Sequence, residues 1–255
     1  MSHGERSISI VIPAYNEARR IERTLKALLS YINDRDDVEI IIVMDGCTDE
    51  TPNIVMRFAR SDPRVIPLVF GKRLGKGGAL LKGFEVARGN VLILCDADMP
   101  TNPEELMRLA NMIDDHDMVI GSRYVKGAKL IKRPTLMRFF LSRAFNVLVR
   151  LLFPSLKDFR DTQCGLKAVR KGLIEIIKDS LVITNFAFDV NLLYSAVKAG
   201  ANIKELGVYW RHVELGSILS SELVKAIVEM WLSLLKLRIY TISHYNTMRG
   251  RRRLR

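Results

Sequence analysis

Asp96-Ala97-Asp98 follows the apolar run Val91 to Cys95 without a break. Two carboxylates one residue apart at the end of a strand point to the same side of the pleat. So placed, their hard oxygen atoms can hold a divalent cation, Mg2+ or Mn2+, against a diphosphate. That is the chemistry a sugar nucleotide requires. An Asp-x-Asp triplet alone also describes many solvated turns, so its weight comes from the loops upstream. Ile8 to Ile12 runs into Pro13-Ala14-Tyr15-Asn16-Glu17, where the proline stiffens the exit and Tyr15 and Glu17 have the groups to stack on a nucleotide and accept its hydrogen bonds. Val38 to Met44 ends at Asp45-Gly46-Cys47-Thr48-Asp49. Asp45 can accept from a base N–H or support the turn, and Thr48 or Asp49 suits a helix cap. Arg73-Leu74-Gly75-Lys76-Gly77-Gly78-Ala79 opens a helix with glycines and a lysine, a place for backbone amides to meet phosphate. It lacks the Walker spacing and a Ser or Thr after the lysine, which excludes a P-loop.

Each of these loops sits behind a short apolar run. The spacing predicts strands at Ile8 to Ile12, Val38 to Met44, Arg64 to Val69, Asn90 to Cys95 and Asp117 to Ile120. Between them it predicts helices at about 18–31, 49–60, 77–88 and 103–113. This βαβ rhythm implies an α/β fold, a mainly parallel sheet flanked by helices on both faces, with ligands bound at the carboxyl ends of the strands. Past Gly121 the rhythm gives way to a basic segment, a turn around Asp161 to Gly165, and further candidates at Phe188 to Lys198 and Ile203 to Tyr209.

The chain of 255 residues, 48% hydrophobic, is long enough for one sizeable core. A single domain over 1–247 is expected, with a nucleotide-sugar half at 7–122, an acceptor half at 123–247 and a disordered basic tail at 248–255. The first strand begins too early to leave room for a signal peptide, so the protein is expected in the cytoplasm. Three cysteines, Cys47, Cys95 and Cys164, show no metal-ligand spacing and read as reduced thiols.

The net charge is +12, and its distribution is uneven. Arg123 to Lys157 holds nine basic residues and no acid, and Leu232 to Arg255 holds seven and no acid; together they contribute +16, leaving −4 on the rest. Two such patches suit an anionic membrane surface or a nucleic acid. Their apolar neighbours favour the membrane. Leu136 to Phe153 interleaves four phenylalanines and five leucines with Arg138, Arg143 and Arg150, the pattern of an amphipathic helix in the interface plane. A second candidate, Leu223 to Tyr240, sets Leu223, Ile227, Met230, Trp231 and Leu234 opposite Lys225, Glu229, Ser233 and Lys236, and equally suits a core-packing helix.

The ordered loops ending at Asp96-Ala97-Asp98 resemble the nucleotide-binding half of family 2 inverting glycosyltransferases, whose fold is GT-A, a Rossmann-like sheet. Gly121-Ser122-Arg123, Arg138 and Ser142, Asp161-Thr162-Gln163-Cys164-Gly165-Leu166-Lys167, Phe186-Ala187-Phe188-Asp189-Val190, and Trp210-Arg211-His212 to Ser217 extend the resemblance to the polyprenyl-phosphate glycosyltransferases over about 7–246. Within that group the Asp161 and Asp189 blocks and Trp210 are most similar to dolichyl-phosphate glucosyltransferases.

The resemblance implies a metal-dependent hexose transfer from a nucleotide sugar, UDP-glucose or alternatively GDP-mannose, to dolichyl or polyprenyl phosphate. Pro13, Tyr15, Glu17 and Asp45 would hold base and ribose, with Lys76 near them or the diphosphate. Asp96, Ala97 and Asp98 would engage ribose, diphosphate and metal. Arg123, Arg138 and Ser142 would bind the acceptor phosphate, with Gln163, Arg211 and Ser217 beside them; Asp98, Arg123 and Arg138 would carry catalysis. Asp161 and Asp189 are candidates for orienting sugar hydroxyls or Arg123, and His212 reads as structural. Two positions depart from the pattern: Pro100 stands where many relatives have a metal-contacting Gln, and Ile218 where many have a Lys. The resemblance also implies peripheral attachment to the cytoplasmic face of a membrane, with a small membrane partner in some relatives and no nucleic acid. The competing class is a non-catalytic binder of membranes or RNA.

Overall fold

The computed structural model describes the backbone of residues 6–132, 136–211 and 221–243, and side chains over 6–131, 141–211 and 228–241. His212, Ser217, Ile218, the 248–255 tail and the side chain of Arg138 lie outside those residues.

Runs of Ile, Val and Leu that are apolar on both pleat faces form strands buried on both sides, as parallel strands covered by crossover helices must be. The first half alternates β1 (Ile8–Ala14), α1 (Ala18–Tyr31), β2 (Val38–Asp45), α2 (Thr51–Ser61), β3 (Val65–Phe70), α3 (Gly75–Val86), β4 (Val91–Leu94) and α4 (Pro103–Asn111). β5 (Met118–Ser122), β6 (Lys129–Lys132), α5 (Leu136–Leu152), β7 (Lys167–Arg170), α6 (Lys171–Ile177), α7 (Phe188–Ala199), β8 (Ile203–Gly207), β9 (Tyr209–Arg211) and α8 (Ser221–Ser243) complete it.

Seven strands form one sheet in the order β3-β2-β1-β4-β7-β5-β8, and β6 pairs with β9 in a separate ribbon. β1 pairs in parallel with β2 on one side and β4 on the other. The strand order therefore reverses beside β1, which opens a crevice at the carboxyl ends of β1 and β4. β7 is the one antiparallel member, set between β4 and β5. Because it runs the other way, its amino end lies at the same edge as the carboxyl ends of its neighbours, with Lys167 opposite both Leu94 and Ile120. The loop from Asp161 to Leu166 is thereby delivered to the edge that carries Asp96 and Arg123.

Alternate residues of the central strands feed two cores. Ile10, Ile12, Ile40 and Ile42 face Ile21, Leu25 and Leu28 of α1 and Leu106 of α4. Val11, Ile41 and Val43 face Ala79, Leu80 and Phe84 of α3, with α5, α6 and α7 extending that layer. Each large aliphatic side chain so buried contributes about 1.5–3 kcal/mol. The core register thus holds the loop edge rigid.

α8 departs from the sequence expectation. Leu234 and Leu237 pack into the core, but Trp231 does not share their face; it is exposed with Val228, Leu232, Leu235 and Ile239. No helix among the described residues is long and apolar enough to cross a membrane.

Candidate active site

The loop after β1 and the loop after β2 are locked together. Asn16, held at a left-handed φ of 52°, accepts from the Thr48 N–H at 2.8 Å and donates to Thr48 Oγ1 at 3.1 Å. The Asp49 carboxylate accepts from the Thr51 and Ala18 amides at 3.0 and 3.1 Å, so it joins the starts of α2 and α1. Pro13 is still within β1, paired with Val43, and Tyr15 stands half-exposed just past the strand's end. Sequence reading missed the partner of Tyr15: the Arg73 guanidinium lies 3.4 Å from the centre of its ring, a stacked cation–π contact. Arg73 Nε also donates to Asp45 at 3.2 Å. Base-binding candidates from three different loops therefore meet at one place.

Asp45 takes the second role its sequence position allowed. Its buried carboxylate accepts from the backbone amides of Leu74 and Gly75 as well as from Arg73, and so supports the glycine-rich turn. The expectation that this turn offers its amides to phosphate is not met. The Gly77 and Gly78 amides donate to the Thr184 carbonyl at 2.7 and 3.1 Å, so among the described residues the opening of α3 has spent those donors on the fold. The glycines serve close approach instead. Gly75 has φ +79°, and a Cβ there would stand 2.5 Å from the Thr184 oxygen.

Lys76 is what this turn delivers. Its ammonium sits 2.9 Å from Asp96 and 3.0 Å from Asp189. Burial alone would lower its pKa, but the charges of Asp189 and Asp96 more than reverse that and keep it protonated. Asp189 in turn accepts from the fully buried Lys167 at 2.6 Å, and Lys167 also donates to the Cys164 carbonyl. Burial opposes the charge of Asp189, yet the two lysines hold its carboxyl below the ordinary range. A chain of alternating charge thus runs from Asp96 through Lys76 and Asp189 to Lys167.

Asp96 and Asp98 lie on one tight turn. Met99, at φ +38°, turns the chain sharply, and its amide returns to the Asp96 carbonyl at 2.9 Å. Thr24 of α1 pins the Ala97 carbonyl at 2.7 Å. Burial, reinforced by the charge of Asp96, raises the pKa of Asp98. Burial also raises that of Glu17, whose ion pair with Arg20 at 2.6 Å works against the shift. Among the described residues no three His, Cys, Asp or Glu side chains cluster as a metal cage; the acids at this edge are Asp96, ion-paired with Lys76, and Asp98, so a divalent cation there would take its remaining ligands from the donor. Pro100 has no side-chain donor to add to this turn; its carbonyl accepts from the Arg211 amide at 2.7 Å and ties β9 to it.

Across the crevice stands the acceptor candidate. Arg123 donates from Nε and Nη2 to Asp161 at 2.7 and 2.8 Å, and its amide reaches the same carboxylate at 3.0 Å. Asp161 is fully buried, and despite that burial Arg123 holds its pKa below the ordinary value. The Arg123 pKa is raised in turn, the pull of Asp161 outweighing burial. One edge of a five-donor fork is engaged, and the other edge points away from Asp161. Glu205 of β8 fixes the loop by accepting from the Asp161 amide at 2.8 Å.

The Asp161–Gly165 loop touches both sides. A Cβ on Gly165 would fall 1.9 Å from Asp96 Oδ2, so only glycine lets the Asp96 carboxylate lie against this loop. Trp210 bridges as well, lining a recess with Asp96, Pro100 and Gly165 while its ring lies 5.4 Å from the Arg123 guanidinium. Ser142 of α5 exchanges a 3.0 Å hydrogen bond with Tyr124, and Arg138 lies one turn before it on the same helix. The Gln163 amide approaches Asp161 at 3.4 Å, and the Arg211 side chain is exposed.

The sequence matches the family described as glycosyl transferase family 2 over residues 9–173. The chain belongs to that family. The glycosyltransferase is 38% identical over 208 residues to glycosyltransferase AglD of Haloferax volcanii, a match that covers 80% of this chain and 33% of that protein. It thus spans about a third of that relative's length. It is 33% identical to the human dolichyl-phosphate beta-glucosyltransferase, covering 82% of this chain and 68% of that one. Among solved structures, glucosyl-3-phosphoglycerate synthase from Mycobacterium tuberculosis in complex with Mn2+, UDP-glucose and phosphoglyceric acid aligns with a TM-score of 0.71 at 19% identity, over 92% of this chain and 80% of that one. The last likeness establishes the GT-A fold of the glycosyltransferase.

Proposed function

We propose that this glycosyltransferase moves glucose from UDP-glucose to dolichyl or a related polyprenyl phosphate with inversion, giving a β-linked lipid phosphosugar. One observation carries the reading: an acid pair, Asp96 and Asp98, and a buried-acid-anchored arginine, Arg123, share one sheet edge and are spanned by the Asp161–Gly165 loop. Relatives named dolichyl-phosphate beta-glucosyltransferases, at 30–33% identity over most of this chain, support both substrate classes.

In this reading Pro13, Tyr15, Glu17 and Arg73 receive base and ribose, and Asp45 acts through Arg73 and the glycine turn. Asp96, Ala97 and Asp98 take the diphosphate end of the donor, with Lys76 beside them. A bound Mg2+ or Mn2+ supplies Lewis-acid stabilisation of the departing diphosphate. Arg123 would grip the acceptor phosphate with Ser142 beside it, and Arg138, Gln163, Arg211 and Ser217 are assigned to the same phosphate by the family resemblance. A guanidinium is suited to that task because it matches phosphate oxygens bidentately.

The acceptor needs no protein base. Its second pKa is about 6, so near neutral pH it is already a nucleophile. One of its oxygens forms a bond to the sugar C1 as the bond from C1 to the nucleoside diphosphate oxygen breaks on the opposite face. An α-linked donor then yields a β-linked product. The enzyme works as a peripheral protein on the cytoplasmic face of a membrane, through amphipathic surfaces or a small membrane partner.

A donor panel tests this reading. Purified protein is mixed with Mn2+ or Mg2+, vesicles containing polyprenyl phosphate, and labelled UDP-glucose, GDP-mannose or other UDP-hexoses. Label from UDP-glucose is expected in the organic phase. Label only from GDP-mannose would make it the mannosyl enzyme, and no extractable label from any donor would remove the transferase reading.

A further inference from the structure

Asn146, on the inward face of α5, is fully buried, and no role in donor or acceptor binding accounts for it. Its Oδ1 accepts twice from Thr162, from the amide and from the hydroxyl, both at 3.0 Å. Its Nδ2 donates to the Ser142 carbonyl one turn earlier, at 2.9 Å. Thr162 is fully buried too, and it adjoins Asp161, the anchor of Arg123. On the other flank, Ser142 meets Tyr124, the residue after Arg123, at 3.0 Å. α5 is therefore tied to both sides of the Arg123–Asp161 pair through residues on its inner face.

The outer face of α5 has a different character. Leu141, Val147 and Leu151 are 41%, 46% and 73% exposed, and Arg143 stacks on Tyr124 with its guanidinium 4.7 Å from the ring. One helix thus carries an apolar outer face and, through Asn146, a fixed connection to the arginine on its inner side. A single amide oxygen with two lone pairs is what allows both Thr162 donors to be satisfied at once; removing it leaves two buried donors without an acceptor.

We propose that Asn146 is a positioning residue: through Thr162 it fixes the Arg123–Asp161 pair relative to α5, so that an acceptor phosphate presented at a lipid surface meets Arg123 in register. The inference rests on the phosphate-acceptor reading above. It differs from a purely structural role in what it predicts for the two substrates. A latch on the acceptor side changes how the lipid phosphate is used and leaves the base- and ribose-binding loops, which follow β1, β2 and β3, untouched.

The test compares Asn146→Ala, Thr162→Val and Thr162→Ser with the wild type in steady-state transfer to vesicle-borne polyprenyl phosphate, varying each substrate in turn, with vesicle co-sedimentation and thermal denaturation alongside. Asn146→Ala is expected to raise the KM for lipid phosphate about tenfold, and Thr162→Val about fivefold, sizes typical of losing buried hydrogen bonds. The KM for the nucleotide sugar and vesicle binding should stay within about twofold of wild type. Thr162→Ser, which keeps the hydroxyl, should restore the acceptor KM. If Asn146→Ala does not fold, the Thr162 pair decides alone. Equal changes in both KM values, an unchanged acceptor KM, or Thr162→Ser as impaired as Thr162→Val would overturn the proposal. A wild-type enzyme that makes no lipid-linked sugar would instead remove the reading beneath it.

Discussion

At the scale of single residues, the acid pair holds a conflict that function explains and stability does not. Burial and the neighbouring Asp96 raise the pKa of Asp98 above the ordinary aspartate value of 3.8. A carboxyl whose folded pKa exceeds its unfolded one costs stability once it ionises in the fold. That cost is fully present above the folded pKa, shrinks as the pH falls through it, and is gone below 3.8. Asp98→Asn should therefore be more stable than wild type at pH 7, with a Tm gain of about 2 °C or more. The gain should vanish as denaturation is followed down toward pH 4. Transfer activity should fall about a hundredfold or more in the same protein, because on the proposed reading the cation that would screen the departing diphosphate loses one of its two carboxylates. Denaturation curves and a transfer assay at several pH values check both halves. A loss of stability at pH 7 would mean the carboxylate is not strained by its surroundings.

At the scale of elements, one short antiparallel strand decides whether a site exists. β7 reverses direction between β4 and β5, and only that reversal brings Gly165 against Asp96 and Asp161 against Arg123. Gly165→Ala puts a methyl 1.9 Å from the Asp96 carboxylate, so either the loop or the acid must shift. The expected outcome is a loss of at least about a hundredfold in kcat/KM with a folded protein, since displacement of a reacting group by about 1 Å costs that much. Circular dichroism and a transfer assay measure it, and near wild-type kinetics would show that Asp96 is free to move. β7 was also the hardest element to read in the sequence. The long apolar strands β1 and β2 and the amphipathic α1 are legible because their patterns repeat over many residues. Lys-Ala-Val-Arg is too short and too charged at its ends to announce a buried strand. For the same reason Lys167 carries no structural role that the sequence shows; nothing local reveals that Asp189 waits 2.6 Å away. The glycines that open α3 were legible as a special turn, but not that the Thr184 carbonyl, more than 100 positions on, takes the amides of Gly77 and Gly78. Loop chemistry that depends on neighbours along the chain could be read, and chemistry that depends on distant partners could not.

At the scale of the whole molecule, the basic patches and the exposed apolar faces coincide. α8 packs Leu234 and Leu237 into the core and leaves Val228, Trp231, Leu232, Leu235 and Ile239 exposed, spaced so that they fall along one side of the helix. α5 exposes Leu141, Val147 and Leu151, and the two helices are in contact. Lys236 and Arg238 on α8, and Arg143 and Arg150 on α5, supply positive charge along the same pair. An apolar stripe flanked by lysine and arginine binds an anionic interface by burying its aliphatic groups shallowly while its charges meet headgroups. Replacing Trp231 and Leu235 together by Glu removes two apolar anchors and reverses the local charge without touching Leu234, Leu237 or the crevice. Co-sedimentation with vesicles containing phosphatidylserine should then weaken about tenfold or more, because each lost anchor carries about 1 kcal/mol or more and each basic residue's attraction to the surface, about 1 kcal/mol, is opposed by a new acid. Wild-type binding should also fall as salt is raised, since headgroup attraction is screened within about 10 Å at 0.1 M. UDP binding followed by calorimetry in the same variant should be unchanged. Vesicle binding as tight as wild type in the double variant would assign attachment to surfaces other than α8.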